Sequence, residues 1–204
     1  MTPSRYDDEI WELVPDREFP PDPRVVRFLR SLGRFDRALD LGCGDGRHSG
    51  LVDCRELVLA DVSARALERA VRRGPRHATA VEIEPDSALP FADASFDLVV
   101  AVDVIEHVRD TQLWLSEVRR VLRPGGCFAL TTPAHSRLDA IVWAVRGLER
   151  HFDPFSPHLR IYTARSLTRA LRDLGFDPVA VRRGRGLLLA RATAAPLATV
   201  LAQR

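Results

Sequence analysis

Arg37-Ala38-Leu39-Asp40-Leu41-Gly42-Cys43-Gly44-Asp45-Gly46 is the stretch that decides the fold. It sets a short apolar run, then an acid, then three glycines alternating with other residues. Twenty-one residues after Asp40 a second acid follows, in Leu57-Val58-Leu59-Ala60-Asp61-Val62-Ser63. Two successive strands that each end in an acid, with a glycine turn after the first, suit a ligand that carries a nucleoside. The glycines let backbone N–H groups approach the ligand closely, and a carboxylate at the end of the second strand holds a ribose diol.

Outward from this unit, apolar runs alternate with helical patterns. Strands are expected at 37–41, 56–60, 78–83, 97–102 and 127–132. Helices are expected at about 6–14, 23–32, 45–53, 64–73, 111–122, 137–150 and 163–174, with Ser63 and Thr163 as N-caps. A final pair of strands, 176–183 and 186–194, meets at Gly184-Arg185-Gly186 and reads as a hairpin. The pattern predicts an α/β fold: a doubly wound, mainly parallel, seven-stranded sheet with a closing antiparallel strand. The ligand then lies outside the C-terminal strand ends. A single domain over 1–204 is expected, with an N-terminal cap over about 1–22 and a substrate-lid insertion over about 134–160.

Composition narrows the function. With 204 residues, 46% hydrophobic and 28% charged, the chain suits one soluble globular domain. A net charge of +2 gives no argument for nucleic acid or an anionic membrane as partner. All 30 basic side chains are arginine, which excludes a catalytic lysine. Cys43, Cys54 and Cys127 form no C-x-x-C pair, so a reduced, cytoplasmic compartment is expected. Asp7, Asp8 and Glu9 make the N-terminus unlike a signal peptide. The apolar stretch 187–202 is broken by Arg191 and Pro196 and is too short to span a bilayer. His135, His151, Asp153 and His158 have neither helix-face nor compact metal-ligand spacing, so no metal is expected.

The dinucleotide fingerprint G-x-G-x-x-G requires a third glycine where this chain has Arg47. Asp40, just before the glycines, is also a poor neighbour for a pyrophosphate dianion. It suits an ammonium group. S-adenosylmethionine has a ribose, an α-amino group, an α-carboxylate and no phosphate, and fits this charge pattern better than NAD.

Four segments, in order, carry a resemblance. They are Ala38 to Gly46; Leu59-Ala60-Asp61-Val62-Ser63; Leu89-Pro90-Phe91-Ala92-Asp93-Ala94-Ser95-Phe96-Asp97-Leu98-Val99-Val100; and Glu117-Val118-Arg119-Arg120-Val121-Leu122-Arg123-Pro124-Gly125-Gly126. The chain resembles class I S-adenosylmethionine-dependent methyltransferases of the type 11 group, which includes ubiquinone and menaquinone biosynthesis enzymes. The resemblance covers residues 36–133 and, more loosely, 158–192. It implies a bacterial-type enzyme that methylates a small molecule, first of all at a hydroxyl oxygen, and leaves S-adenosylhomocysteine. A non-catalytic scaffold that binds the same cofactor and an NAD-dependent oxidoreductase are the alternatives.

On this reading Asp40, Gly42, Gly44 and Gly46 form the cofactor turn. Asp40 meets the amino group, and the methionine carboxylate sits near the N-terminus of the helix at 45–53. Asp61 binds the ribose hydroxyls and Val62 packs on the adenine. The resembled group places an acid near the adenine amino group; Asp86, with Ser87 next, is favoured here over Glu82 and Glu84. Backbone carbonyls near Asp103 face the methionine end. For Glu106 and His107 a structural role, such as bonding a neighbouring loop, is the favoured reading, and His107 is the candidate if a general base is present. Cys43 is a spacer, not a nucleophile. Trp143, Phe152 and Phe155 line an apolar pocket in the lid, unless Trp143 belongs to the core.

Overall fold

The computed structural model describes residues 3–16, 20–135, 137–146 and 158–196. Side chains alternate along the central strands, and that alternation divides the core in two. Leu39, Val58, Val99 and Phe128 belong to one buried cluster, while Ala38, Leu57, Leu98 and Cys127 belong to the other. These residues sit on β1 (Arg34–Leu41), β2 (Asp53–Asp61), β4 (Phe96–Val102) and β5 (Leu122–Pro133). With β3 (Ala78–Glu82), β6 (Phe176–Gly184) and β7 (Leu187–Ala194) they form one seven-stranded sheet in the order β3-β2-β1-β4-β5-β7-β6. β7 runs antiparallel to both β5 and β6, and the other pairs are parallel. Strands apolar on both faces need cover on both. Helices α2 (Pro23–Arg30) and α3 (Ala64–Arg73) cover one face through Val25, Leu29, Leu67 and Ala70. Helices α4 (Thr111–Val121) and α6 (Ala164–Asp173) cover the other through Leu115, Val118, Leu167 and Leu171.

The expected caps are in place. Ser63 Oγ accepts from Ala66 N at 3.1 Å, and Thr163 forms a reciprocal capping box with Ser166. One expected element is missing: the helix at 45–53 is only a three-residue 3₁₀ turn, Ser49–Leu51. Gly46 has φ +77°, and a Cβ there would lie 2.8 Å from Ala70 Cα, so the chain leaves helical geometry where α3 presses against it. Strand β2 then begins at Asp53, which leaves no room for another turn.

Two further helices lie outside the sheet's cover. α1 (Pro3–Leu13) packs on α3, where Arg69 donates to Trp11 O and Val14 O at 2.8 and 2.9 Å. α5 (Arg137–Arg146) follows β5 and keeps Ile141, Val142 and Val145 exposed. The helix expected over 137–150 is thus seen to Arg146, while His151, Phe152, Asp153 and Phe155 lie outside the described residues.

Candidate functional site

The sheet order reverses between β1 and β4, and the two acids stand at the C-terminal end of β1 and of its neighbour β2. Asp61 is buried, and its carboxylate accepts from Gly44 N at 2.8 Å and Ser63 N at 3.0 Å. It therefore joins the glycine turn to the start of α3. Asp40 is 2% exposed and accepts from Ser49 Oγ at 2.5 Å. Burial, with the charge of Asp61 close by, pushes the Asp40 carboxyl up to about 6 against the pull of that hydroxyl. Gly42, Gly44 and Gly46 all have φ between +54° and +77°, the left-handed region that glycine enters at little cost.

The turn's N–H groups are mostly committed internally. Gly42 N and Cys43 N donate to Ala60 O at 2.7 and 3.1 Å, Gly46 N to Cys43 O at 3.0 Å, and Gly44 N to Asp61. A three-residue 3₁₀ turn also supplies no helix N-terminus for an anion. The expected seat of the methionine carboxylate at the head of a 45–53 helix is therefore corrected. Two guanidiniums, Arg47 and Arg73, bind Asp45 of the turn, and Arg47 also lines a cleft of about 180 Å³ with His48, Asp22, Asp103 and Leu187. Against the cost of its burial, Arg47 and Arg73 hold the Asp45 carboxyl below its usual value. Burial lowers the His48 imidazole.

From above, α1 closes on the turn. A Cβ on Gly44 would lie 3.0 Å from the Trp11 indole. Asp8 Oδ1 accepts from Ser63 Oγ at 2.6 Å and from Arg65 N at 3.2 Å. Cys43 is buried, and burial followed by the charges of Asp40 and Asp61 pushes its thiol far up, as suits a spacer. Val62 is half-buried against the core.

Asp86 and Ser87 stand apart from this floor in their bonding. Asp86, at φ +52°, lies 3.7 Å from the Arg109 guanidinium and accepts from Asp110 N at 3.3 Å. Ser87 Oγ donates to Pro85 O at 3.3 Å. Ile83 N donates to Asp61 O at 3.0 Å, so the chain after β3 starts beside Asp61.

The mouth beyond β4 is built differently. Asp103 (φ +54°) accepts from Thr131 Oγ1 at 2.8 Å, and its side chain lines the cleft with Arg47. Glu106 is 1% exposed and one of its oxygens accepts from Thr132 Oγ1 at 2.9 Å. Burial pushes its carboxyl up to about 7. Its main-chain carbonyl accepts from Leu159 N at 2.8 Å and Arg160 N at 3.2 Å. His107 and His158 stack edge to face, with ring centroids 4.8 Å apart. Spacing hid this meeting, because 51 residues separate the two histidines in the chain. Trp143 is in neither core cluster; its ring packs against His135 at 5.0 Å.

The residues present fit S-adenosylmethionine: a carboxylate for the ribose diol, a second for the ammonium, a glycine turn between them and an arginine beside it. Known proteins point to the same cofactor. The methyltransferase-domain family model matches residues 39–130. A protein of Mycolicibacterium smegmatis named as a probable S-adenosylmethionine-dependent methyltransferase is 35% identical over 156 residues, 73% of this chain and 56% of its own length. The 27-O-demethylrifamycin SV methyltransferase of Amycolatopsis mediterranei is 30% identical, over 61% of this chain and 52% of that protein. A ubiquinone biosynthesis O-methyltransferase of Cereibacter sphaeroides is 31% identical, over 70% and 61%. The chain spans about half the length of the curated relatives it matches. Among solved structures, a methyltransferase from Thermotoga maritima shares the fold with a TM-score of 0.66 at 20% identity, over 83% of this chain and 87% of that one. Residues 39–130 carry the methyltransferase domain of the class I S-adenosylmethionine-dependent, type 11 group.

Proposed function

We propose that this family member transfers the methyl group of S-adenosylmethionine to a hydroxyl oxygen of a small molecule, leaving S-adenosylhomocysteine. The observation that carries the reading is the joint hold of Asp61 on Gly44 N and Ser63 N. It sets the ribose-binding carboxylate in one position before any ligand arrives, so little ordering is lost on binding. Asp40 faces the amino group and Arg47 takes the α-carboxylate. Val62, with an acid from Glu82, Glu84 or Asp86 and the neighbouring Ser87, meets the adenine. α1 serves as an N-terminal cap over the turn and 134–160 as the substrate lid of a single domain.

The cofactor supplies an already activated methyl group on its sulfonium. What remains for the chain is alignment, exclusion of water and removal of a proton from the acceptor. The Asp103–His107 segment stands at the mouth where that proton leaves, and His107 or the buried Glu106 is placed to take it. The hydroxyl acceptor is favoured because the relatives include a 27-O-demethylrifamycin SV methyltransferase and ubiquinone biosynthesis O-methyltransferases. The test is incubation of the purified chain with S-adenosylmethionine and a panel of phenols, quinols, sugars and amines. Methylated phenol or quinol together with S-adenosylhomocysteine is expected. Product from amines alone would overturn the oxygen acceptor, and no product from any class would overturn transfer to these small molecules.

A further inference from the structure

We infer that Glu106, His107 and His158 form a binding site for one divalent first-row cation of the zinc class. One carboxylate oxygen of Glu106 and one nitrogen from each imidazole all lie within 4.8 Å of one another. Zinc bonds to such atoms at about 2.0–2.1 Å, which sets tetrahedral ligands roughly 3.3 Å apart. The three side chains need to draw in by about an ångström, a rotamer-scale change for two exposed histidines.

An independent observation points to a ligand. Glu106 Oε2 has the Thr132 hydroxyl, but Oε1 is buried and has no hydrogen-bond partner among the described residues. Leaving such an oxygen unmet is costly, and native structures normally meet it with a group, water or ion. A cation between Glu106 and the two imidazoles answers that cost directly. His158 is also held from both directions of the mouth. Leu159 N donates to Glu106 O, while the Arg160 guanidinium donates to Val108 O at 2.7 Å and Arg109 O at 2.6 Å. The segment is pinned so that its histidine meets His107.

Two imidazoles and one carboxylate match a catalytic zinc set, which keeps a fourth position open. If methyl transfer to a hydroxyl is the activity, the open position takes the acceptor oxygen. That clause rests on the function proposed above; the metal site does not. The bound hydroxyl gives its proton to water and a lone pair of the oxygen forms the new O–C bond. The methyl C–S bond breaks, with its electron pair returning to sulfur. His107 is then a ligand and not the base.

The experiment is a titration of the chelator-treated, tag-free chain with Zn²⁺ by calorimetry and with Co²⁺ by visible absorption. S-adenosylhomocysteine is titrated in parallel. One equivalent per chain is expected, with the intense d–d bands of a four- or five-coordinate cobalt site. His158→Ala is expected to weaken the binding at least tenfold. His77→Ala, at an exposed turn, is expected to leave it unchanged. Glu106→Gln is expected to abolish it, but that side chain is buried, so His158→Ala carries the test if Glu106→Gln does not fold. No saturable cation binding, or binding indifferent to His158→Ala, would overturn the site, whether or not S-adenosylhomocysteine binds. Loss of S-adenosylhomocysteine binding with the cation intact would instead sink the cofactor reading.

Discussion

The floor of the site and its mouth are built by opposite means. At the floor, Asp40 and Asp61 end adjacent strands, and their recorded partners, Ser49, Gly44 and Ser63, lie within 17 residues along the chain. At the mouth, Glu106 meets Thr132 26 residues away, and His158 arrives from 51 residues beyond His107. Local assembly gives a rigid cradle that a short motif can announce. Long-range assembly gives a cluster whose members share no spacing, and which can change its chemistry without disturbing the cradle.

The largest expected effect breaks the floor. Asp61→Ala removes the acceptor of two backbone N–H groups and the acceptor proposed for two ribose hydroxyls. Hydrogen bonds to a charged group are worth about 1.5–3 kcal/mol each, so affinity for S-adenosylhomocysteine is expected to fall roughly a hundredfold or more by calorimetry. An unchanged affinity would place the ribose elsewhere.

Asp40 gives the next effect, with its sign set by burial. Its folded carboxyl titrates near 6 against an ordinary 3.8, so between those values the folded chain holds more protons than the unfolded one. Stability therefore falls as pH rises through that window and stays lower above it, by on the order of 3 kcal/mol. Asp40→Asn is expected to flatten this slope and to raise the melting temperature at pH 8, while weakening cofactor binding through loss of the ammonium's counter-charge. A melting profile from pH 4 to 8 that matches wild type would contradict the assignment.

Glycine substitutions separate close packing from bare backbone conformation. Gly46→Ala meets both a positive φ and the Ala70 backbone, whereas Gly186→Ala meets a positive φ and open space. Losses on the order of 3 and 1 kcal/mol are expected in urea unfolding. Equal losses would mean that α3 moves aside freely. The smallest effect sharpens the contrast from the other end. His158→Ala at the mouth is expected to change stability by less than about 0.5 kcal/mol and to leave S-adenosylhomocysteine binding intact. A large loss of either would tie mouth to floor.

This contrast also marks what can be read along the chain. The sheet, its order of strands and helices, and the caps at Ser63 and Thr163 follow from periods of two and 3.6 and from short side-chain-to-backbone bonds. The pair Asp40 and Asp61 was legible for the same reason. The helix at 45–53 was not, because its loss comes from Ala70 pressing on Gly46, a contact between residues 24 apart. The commitment of the turn's N–H groups to Ala60 O likewise needs the β1–β2 register. Glu106 and His107 stand out as a pair in the sequence, but nothing near them signals His158. The bonds of the Asp86 carboxylate to the loop that leads into α4 likewise have no signal in the sequence around Leu-Pro-Phe.

The most direct test of the account is calorimetric titration of the wild-type chain with S-adenosylhomocysteine and, separately, with NADH. Saturable binding of S-adenosylhomocysteine at one site and none of NADH is the predicted result. Binding of NADH without S-adenosylhomocysteine would contradict the cofactor assignment and with it the methyl transfer proposed for this chain.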